Sequence, residues 1–205
     1  MRKTFWFLAA AILSGCAPLL DSTYVDPTPR PMEFAFNRVK LIQPEISRDD
    51  DPSTYEQDEY ELAPTRRLLL NFNRLHEHVG AIRTDGTHKV QGRFVVLGDA
   101  AEAADSISLC PLTRKFMLLS TWEAAYANGT ERWRRPGGDF DQAGCVKGAA
   151  DPADAQVLLF DLTRWFIDYP RGRRVYYGLI ALSTKAVRIA GDLSGASNPR
   201  MLWTE

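Results

Sequence analysis

Apolar and polar positions alternate along most of this chain after residue 66. In Arg67-Leu68-Leu69-Leu70-Asn71-Phe72-Asn73, Leu68, Leu70 and Phe72 share one parity, and Asn71 and Asn73 the other. That is the pattern of a half-buried strand, whose side chains point alternately to two faces. His88 to Gly98 repeats it around Phe94-Val95-Val96-Leu97, and Ser106-Ile107-Ser108-Leu109 alternates until Pro111. Val157 to Leu162 (VLLFDL) is short and apolar enough for a buried strand. Val175 to Ser183, Ala186 to Ala190 and Met201 to Thr204 complete the downstream set. Upstream, Glu33 to Ile42 reads as extended, with a change of phase at Asn37-Arg38 that predicts a β-bulge. Helical signal is weak. Thr121 to Asn128, with Thr121 as N-cap and Asn128-Gly129 as the stop, predicts a turn or two, and Thr163 to Tyr169, closed by Pro170, predicts another. Many short strands separated by turn residues predict an all-β sandwich with one or two short helices.

The first residues follow a different pattern. Arg2 and Lys3 precede a continuous apolar run from Phe5 to Leu13. A spanning helix needs about 20 apolar residues, so this run fits the apolar region of a signal peptide. Leu13-Ser14-Gly15-Cys16 follows at once and resembles the lipobox of bacterial lipoproteins. The resemblance implies removal of residues 1–15 and a diacylated Cys16 as the new N-terminus, held in a lipid bilayer. Ala17, rather than Asp, follows the cysteine, which points to the outer membrane of the cell envelope. Residues 16–32, rich in Pro, Asp, Ser and Thr, read as a tether, and residues 33–205 as one domain.

Charge divides the domain. Without Arg2 and Lys3 the chain has 23 basic and 26 acidic residues, but Glu45 to Glu61 alone holds eight acids and one base. Residues 43–64 therefore read as a solvated acidic loop. Residues 62–205 hold 19 bases, 15 of them Arg, against 15 acids. A net acidic, exported chain gives no reason to expect nucleic acid as a partner. Two cysteines survive processing, Cys110 and Cys145. An oxidising compartment permits a disulfide between them; two buried free thiols are the alternative.

Three stretches in order carry a resemblance to a known family: RRLLLNFN (residues 66–73), TWEAAYANGTERWRRPGGDFD (121–141), and LLFDLTRWFIDYPRG with YYGLIAL after it (158–172 and 176–182). They resemble the DNRLRE-type domain. DSTYVD near the start and NPRMLW at 198–203 fit that domain's opening and closing elements; the signature that names it is absent. The resemblance implies an antiparallel jelly-roll β-sandwich similar to carbohydrate-binding modules, and it implies sugar binding, acidic polysaccharides included.

The richest aromatic and basic cluster follows from the middle stretch. Trp122, Tyr126, Trp133 and Phe140 lie close in sequence to Arg132, Arg134 and Arg135. An aromatic ring offers a flat platform to the C–H face of a sugar, and an arginine fork pairs with a uronate carboxylate. The same tryptophans could instead pin a long connection onto the sandwich. Asp139 and Asp141, two apart after Gly137-Gly138, fit either calcium ligation through oxygens at alternate positions or a turn held by Asp side chains. Asp161 stands at a strand end, where its carboxylate could accept from the next turn. His76 and His78 can share a strand face but have no third zinc ligand nearby. Catalytic motifs of the G-x-S-x-G, H-E-x-x-H and Walker A types do not occur. The sequence thus leads to a non-catalytic, membrane-anchored lipoprotein that binds a glycan at the cell envelope. The alternative is a structural or assembly lipoprotein that docks to another envelope protein.

Overall fold

A computed structural model describes residues 32–36, 38–46, 51–71, 89–126, 131–168 and 176–204. The expected signal peptide, Cys16 and the expected tether up to residue 31 lie outside the described residues, as do Phe72, Asn73, His76, His78, Asn128-Gly129 and Pro170. Among the described residues, no helix is long and apolar enough to cross a membrane.

Among the described residues, twelve strands and two short α-helices follow one another. The strands are β1 (Met32–Ala35), β2 (Arg38–Ile42), β3 (Glu59–Leu62), β4 (Arg67–Asn71), β5 (Lys89–Val95), β6 (Ile107–Pro111), β7 (Val146–Lys147), β8 (Ala149–Asp151), β9 (Asp154–Asp161), β10 (Leu179–Ser183), β11 (Val187–Ala190) and β12 (Arg200–Thr204). The helices are α1 (Ala100–Ala104) and α2 (Thr163–Asp168). One sheet has the order β1-β12-β5-β9-β8, a second the order β2-β4-β10-β6-β7, and β3 pairs with β11. The pairings nest: β1 with β12, β4 with β10, β5 with β9 and β6 with β7, all antiparallel. A long hairpin rolled across two sheets has this connectivity, which is that of a jelly roll.

Between the sheets lies the larger core. Leu68 and Leu70 of β4, Phe94 of β5, Leu109 of β6, Phe160 of β9 and Trp203 of β12 meet there, with the Phe94 and Phe160 ring centres 5.2 Å apart. Alternation puts every second residue of each strand into this space. The helices close its ends. Asp161 accepts from the Thr163 N–H at 3.0 Å at the start of α2, as the strand-end reading expects. That helix delivers Trp165 and Phe166, which pack on Tyr176. Helix α1, which no periodicity in Ala-Ala-Glu-Ala-Ala announces, is capped by Asp99 accepting from the Ala101 N–H at 2.7 Å.

Three expectations change. The extended segment 33–42 is two strands in different sheets, β1 and β2, because the chain turns a corner at Phe36 and crosses from one sheet to the other; the phase change marks that crossing and not a bulge. The acidic stretch 43–64 is only partly a solvated loop. Tyr60 and Leu62 alternate with Glu59 and Glu61, and the two apolar side chains are buried while β3 pairs with β11. Buried Lys40 reaches from β2 to donate to the Thr54 hydroxyl and lies 5.1 Å from the Tyr55 ring centre. Thr54 in turn donates to the Asp51 carbonyl at 2.6 Å. These bonds fix the 52–54 turn against the sandwich. Finally, the predicted helix from Thr121 does not form over the described residues. Thr121 Oγ1 does accept from the Ala124 N–H at 3.1 Å, as a cap would. The backbone then pairs Ala124 with Arg132 and turns back on itself.

Candidate functional site

Strand β4 carries three consecutive leucines, and all three are buried. Leu68 and Leu70 face the inter-sheet core, while Leu69 faces the outside of the second sheet. Something must cover that outer face. The long connection between β6 and β7, described at residues 112–126 and 131–145, does so. Its Phe116, Ala125 and Trp133 form a second cluster with Ile42, Leu69, Cys110 and Ile180, and Trp122, Tyr126 and Phe140 pack against it.

The covering segment is held by its own turns. Ala125 donates to the Glu131 carbonyl at 2.8 Å, and the Ser120 hydroxyl to the Ala125 carbonyl at 2.6 Å. The Trp133 indole N–H donates to the Thr121 carbonyl at 2.9 Å. At its far end a disulfide joins Cys110 of β6 to Cys145, 35 residues apart. Of the two readings of these cysteines, paired or free, the structure shows the paired one.

The sequence-predicted residues separate into three roles. Trp133 is 5% exposed and has no face to offer a ligand, so it is a pin and not a platform. Trp122 and Tyr126 are half-buried against the same cluster. Arg132, Arg134 and Arg135 are exposed. Asp139 is buried and its two oxygens accept from the Arg134 and Arg135 backbone N–H groups at 3.0 and 3.1 Å, with the Arg114 guanidinium 3.5 Å away. Asp141 accepts from the Ala143 N–H at 3.0 Å and starts a single 3-10 turn. Both carboxylates thus serve turns, and among the described residues no group of three or more His, Cys, Asp or Glu is placed to hold a metal ion.

The residue that sequence reading missed is Arg67, the first of β4. It shares the parity of Leu69, so it points to the outer face at the border of the covering segment. Its guanidinium lies 4.8 Å from the Trp122 ring centre and 6.0 Å from that of Phe140, and its Nη1 donates to the Gly137 carbonyl at 2.8 Å. Burial pulls its pKa below the ordinary arginine value, but a guanidinium stays charged at neutral pH. Gly137 makes this approach feasible: its φ is +87°, and a Cβ there would lie 2.6 Å from Arg67 Nη1 and 2.7 Å from the Trp122 ring. The Gly-Gly of the middle stretch therefore has a steric cause.

Arg67 stands between two adjoining hollows. One, of about 490 Å³, is lined by Arg67, Thr113, Arg134, Arg135, Phe140 and Gln142 among others. The other, of about 660 Å³, runs along β6 and β10 past Ser108, Cys145, Lys147, Leu182 and Thr184. Arg67, Phe140 and Gln142 line both, so the two adjoin on the outer face of the second sheet and are taken together as the candidate groove. Each is of the size of small-molecule sites. A third hollow of about 380 Å³ lies elsewhere, between α1 and β11. No family model and no curated protein matches this chain.

Proposed function

We propose that this protein is a non-catalytic, lipid-anchored module of the cell envelope that binds a glycan in the groove between its covering segment and its second sheet. The anchor in this reading is Cys16, whose sequence context resembles a lipobox. The observation that carries the binding role is that two hollows adjoin and share Arg67, Phe140 and Gln142 as lining. Two adjoining hollows suit successive rings of a sugar chain better than a compact metabolite. Phe140 supplies a half-exposed ring, and Thr113, Gln142, Ser108 and Thr184 supply groups that exchange hydrogen bonds with hydroxyls. A rigid sheet floor lowers the ordering penalty of binding. The resemblance of residues 66–73, 121–141, 158–172 and 176–182 to a carbohydrate-binding type of sandwich agrees with this reading.

Affinity electrophoresis of the purified chain through gels that contain neutral or acidic polysaccharides tests it, with and without calcium. Retardation by at least one polysaccharide, weakened in a Phe140→Ala variant, is the expected result. Equal mobility in every gel would refute glycan binding. Turnover of the retarding polysaccharide would overturn the non-catalytic part.

A further inference from the structure

Half-buried cations in folded proteins generally sit beside carboxylates, because taking a charge from water costs several kcal/mol unless it is paired. Arg67 departs from that rule. Among the described residues no carboxylate lies within ion-pair distance of it, and its guanidinium makes one hydrogen bond, to the Gly137 carbonyl. A guanidinium carries five N–H donors, so four are left without an acceptor among the described residues. The one buried carboxylate of the same hollow, Asp139, is already engaged by two backbone N–H groups and by Arg114. Arg134 and Arg135 line this hollow too, and neither has a carboxylate partner among the described residues. Three arginines therefore converge on one groove with a single carboxylate, itself neutralised.

A cation–ring contact and one hydrogen bond account for how Arg67 is held. The Trp122 ring centre lies 4.8 Å from the guanidinium carbon, and the Gly137 carbonyl accepts from one of its N–H groups. A planar fork clamped in this way has lost its rotamer freedom before any ligand arrives, which favours two-pronged recognition of a planar oxyanion. Lysine at this position would bring the charge but not the fork.

We propose that Arg67 is the specificity-determining residue of the groove and selects glycans that carry a carboxylate, seating it where the two hollows join, with Arg134 and Arg135 at the rim. This inference rests on the glycan-binding reading and adds to it a charge requirement and a named residue. It separates a carboxylate from a sulfate by shape: a trigonal carboxylate matches the fork in one plane, whereas a tetrahedral sulfate meets it with charge and less fit.

The test is calorimetric titration of the purified chain with four probes: an oligogalacturonate, its methyl ester, a sulfated oligosaccharide and a neutral cello-oligosaccharide. The free acid is expected to bind about 10- to 100-fold more tightly than the ester, the range of a charge-assisted pair, and more tightly than the sulfated probe. Arg67→Gln removes the preference for acid over ester, and Arg67→Lys restores part of it. Because Arg67→Gln also disturbs the Trp122 contact, Arg134→Gln with Arg135→Gln supplies a second arm: these exposed side chains make no ion pair among the described residues, and their loss weakens acid binding and its salt dependence with the fold intact. Arg132→Gln, outside the groove lining, leaves binding unchanged. If acid and ester bind equally, or if Arg67→Gln keeps the full preference, the inference is wrong and glycan binding stands. If the sulfated probe binds best, the carboxylate assignment is wrong. If none of the four binds and no polysaccharide retards the chain, both readings fall together.

Discussion

Replacing Trp133 by alanine tests whether the covering segment is held by its own small core. Trp133 is 5% exposed and belongs to the outer cluster, not to the core between the sheets. An indole buries on the order of 200 Å², which at about 25 cal/mol per Å² corresponds to about 5 kcal/mol. An unfolded chain already hides part of that area, and alanine keeps a methyl group, so about 3–4 kcal/mol of packing is lost. The indole N–H bond to the Thr121 carbonyl adds about 1 kcal/mol. The expected destabilisation is therefore about 4 kcal/mol, within the usual range for such a truncation. Trp133→Phe keeps most of the packing and loses the bond, for about 1–2 kcal/mol. Urea unfolding followed by circular dichroism gives both values. Hydrogen exchange adds the location: the Ala125 amide, bonded to the Glu131 carbonyl, exchanges first in the alanine variant, while β5 and β9 amides stay protected. An alanine variant within about 0.5 kcal/mol of the parent would show that the segment is not held from within.

Three other perturbations reach different parts of the fold. Removing the Cys110–Cys145 disulfide with paired alanines opens a loop of 36 residues and lowers stability by roughly 3–4 kcal/mol in the chain-entropy account; an unchanged urea midpoint would contradict it. Gly178→Ala places a Cβ 2.6 Å from the Leu70 carbonyl oxygen at a φ of +113°, and a loss of about 2 kcal/mol or more in denaturant unfolding is expected. Tyr60 is buried and donates to Asp192 at 2.7 Å; burial first, then the Asp192 carboxylate, pushes its phenol well above the ordinary value of 10.0. The folded chain thus holds this proton more tightly than the unfolded one. Stability is complete below pH about 10 and falls above it, by up to about 1.4 kcal/mol per pH unit. Tyr60→Phe is less stable at neutral pH by about 1–3 kcal/mol and lacks this alkaline decline; a variant with the parent's slope would refute the assignment.

Strands were legible through the face that meets the inter-sheet core. Leu68 and Leu70, Phe94, Ile107 and Leu109 are inward at the parities that the alternation indicates. Where a second influence acts, the pattern misleads. Tyr60 and Leu62 alternate with Glu59 and Glu61 as plainly as any strand, but the surrounding acids point to a solvated loop. Thr121 makes the bond of a helix cap, yet bonds from distant residues, Ala125 to Glu131 and Trp133 to Glu123, decide the backbone. The middle stretch was legible as important and not as to its role. Whether Trp133 faces sugar or sheet depends on Leu69 and Ile180, residues remote in sequence. Arg67 left one trace: leucines at both parities of β4 mean that both faces are covered, so an arginine in phase with Leu69 lies beside whatever does the covering.

The groove is a consequence of how the outer face is covered. A sandwich needs apolar residues on its inner faces only, and Leu69, Cys110 and Ile180 on the other side of the second sheet oblige the chain to spend over thirty residues there. The covering segment closes over Leu69, Cys110 and Ile180 but leaves Ser108 and Leu182 on the open wall of the groove. Between closed and open lies a boundary, and Arg67 stands on it because β4 enters the sheet there. Its charge faces neither core nor bulk water alone, and Trp122, Gly137 and Phe140 shape that half-way position. In the proposed glycan-binding reading, stability and recognition are coupled through one element: a substitution that loosens Trp133 or the disulfide also releases the wall that carries Arg134, Arg135 and Phe140. A variant that keeps full binding after the covering segment has been freed would separate the two and show that the open sheet alone makes the site.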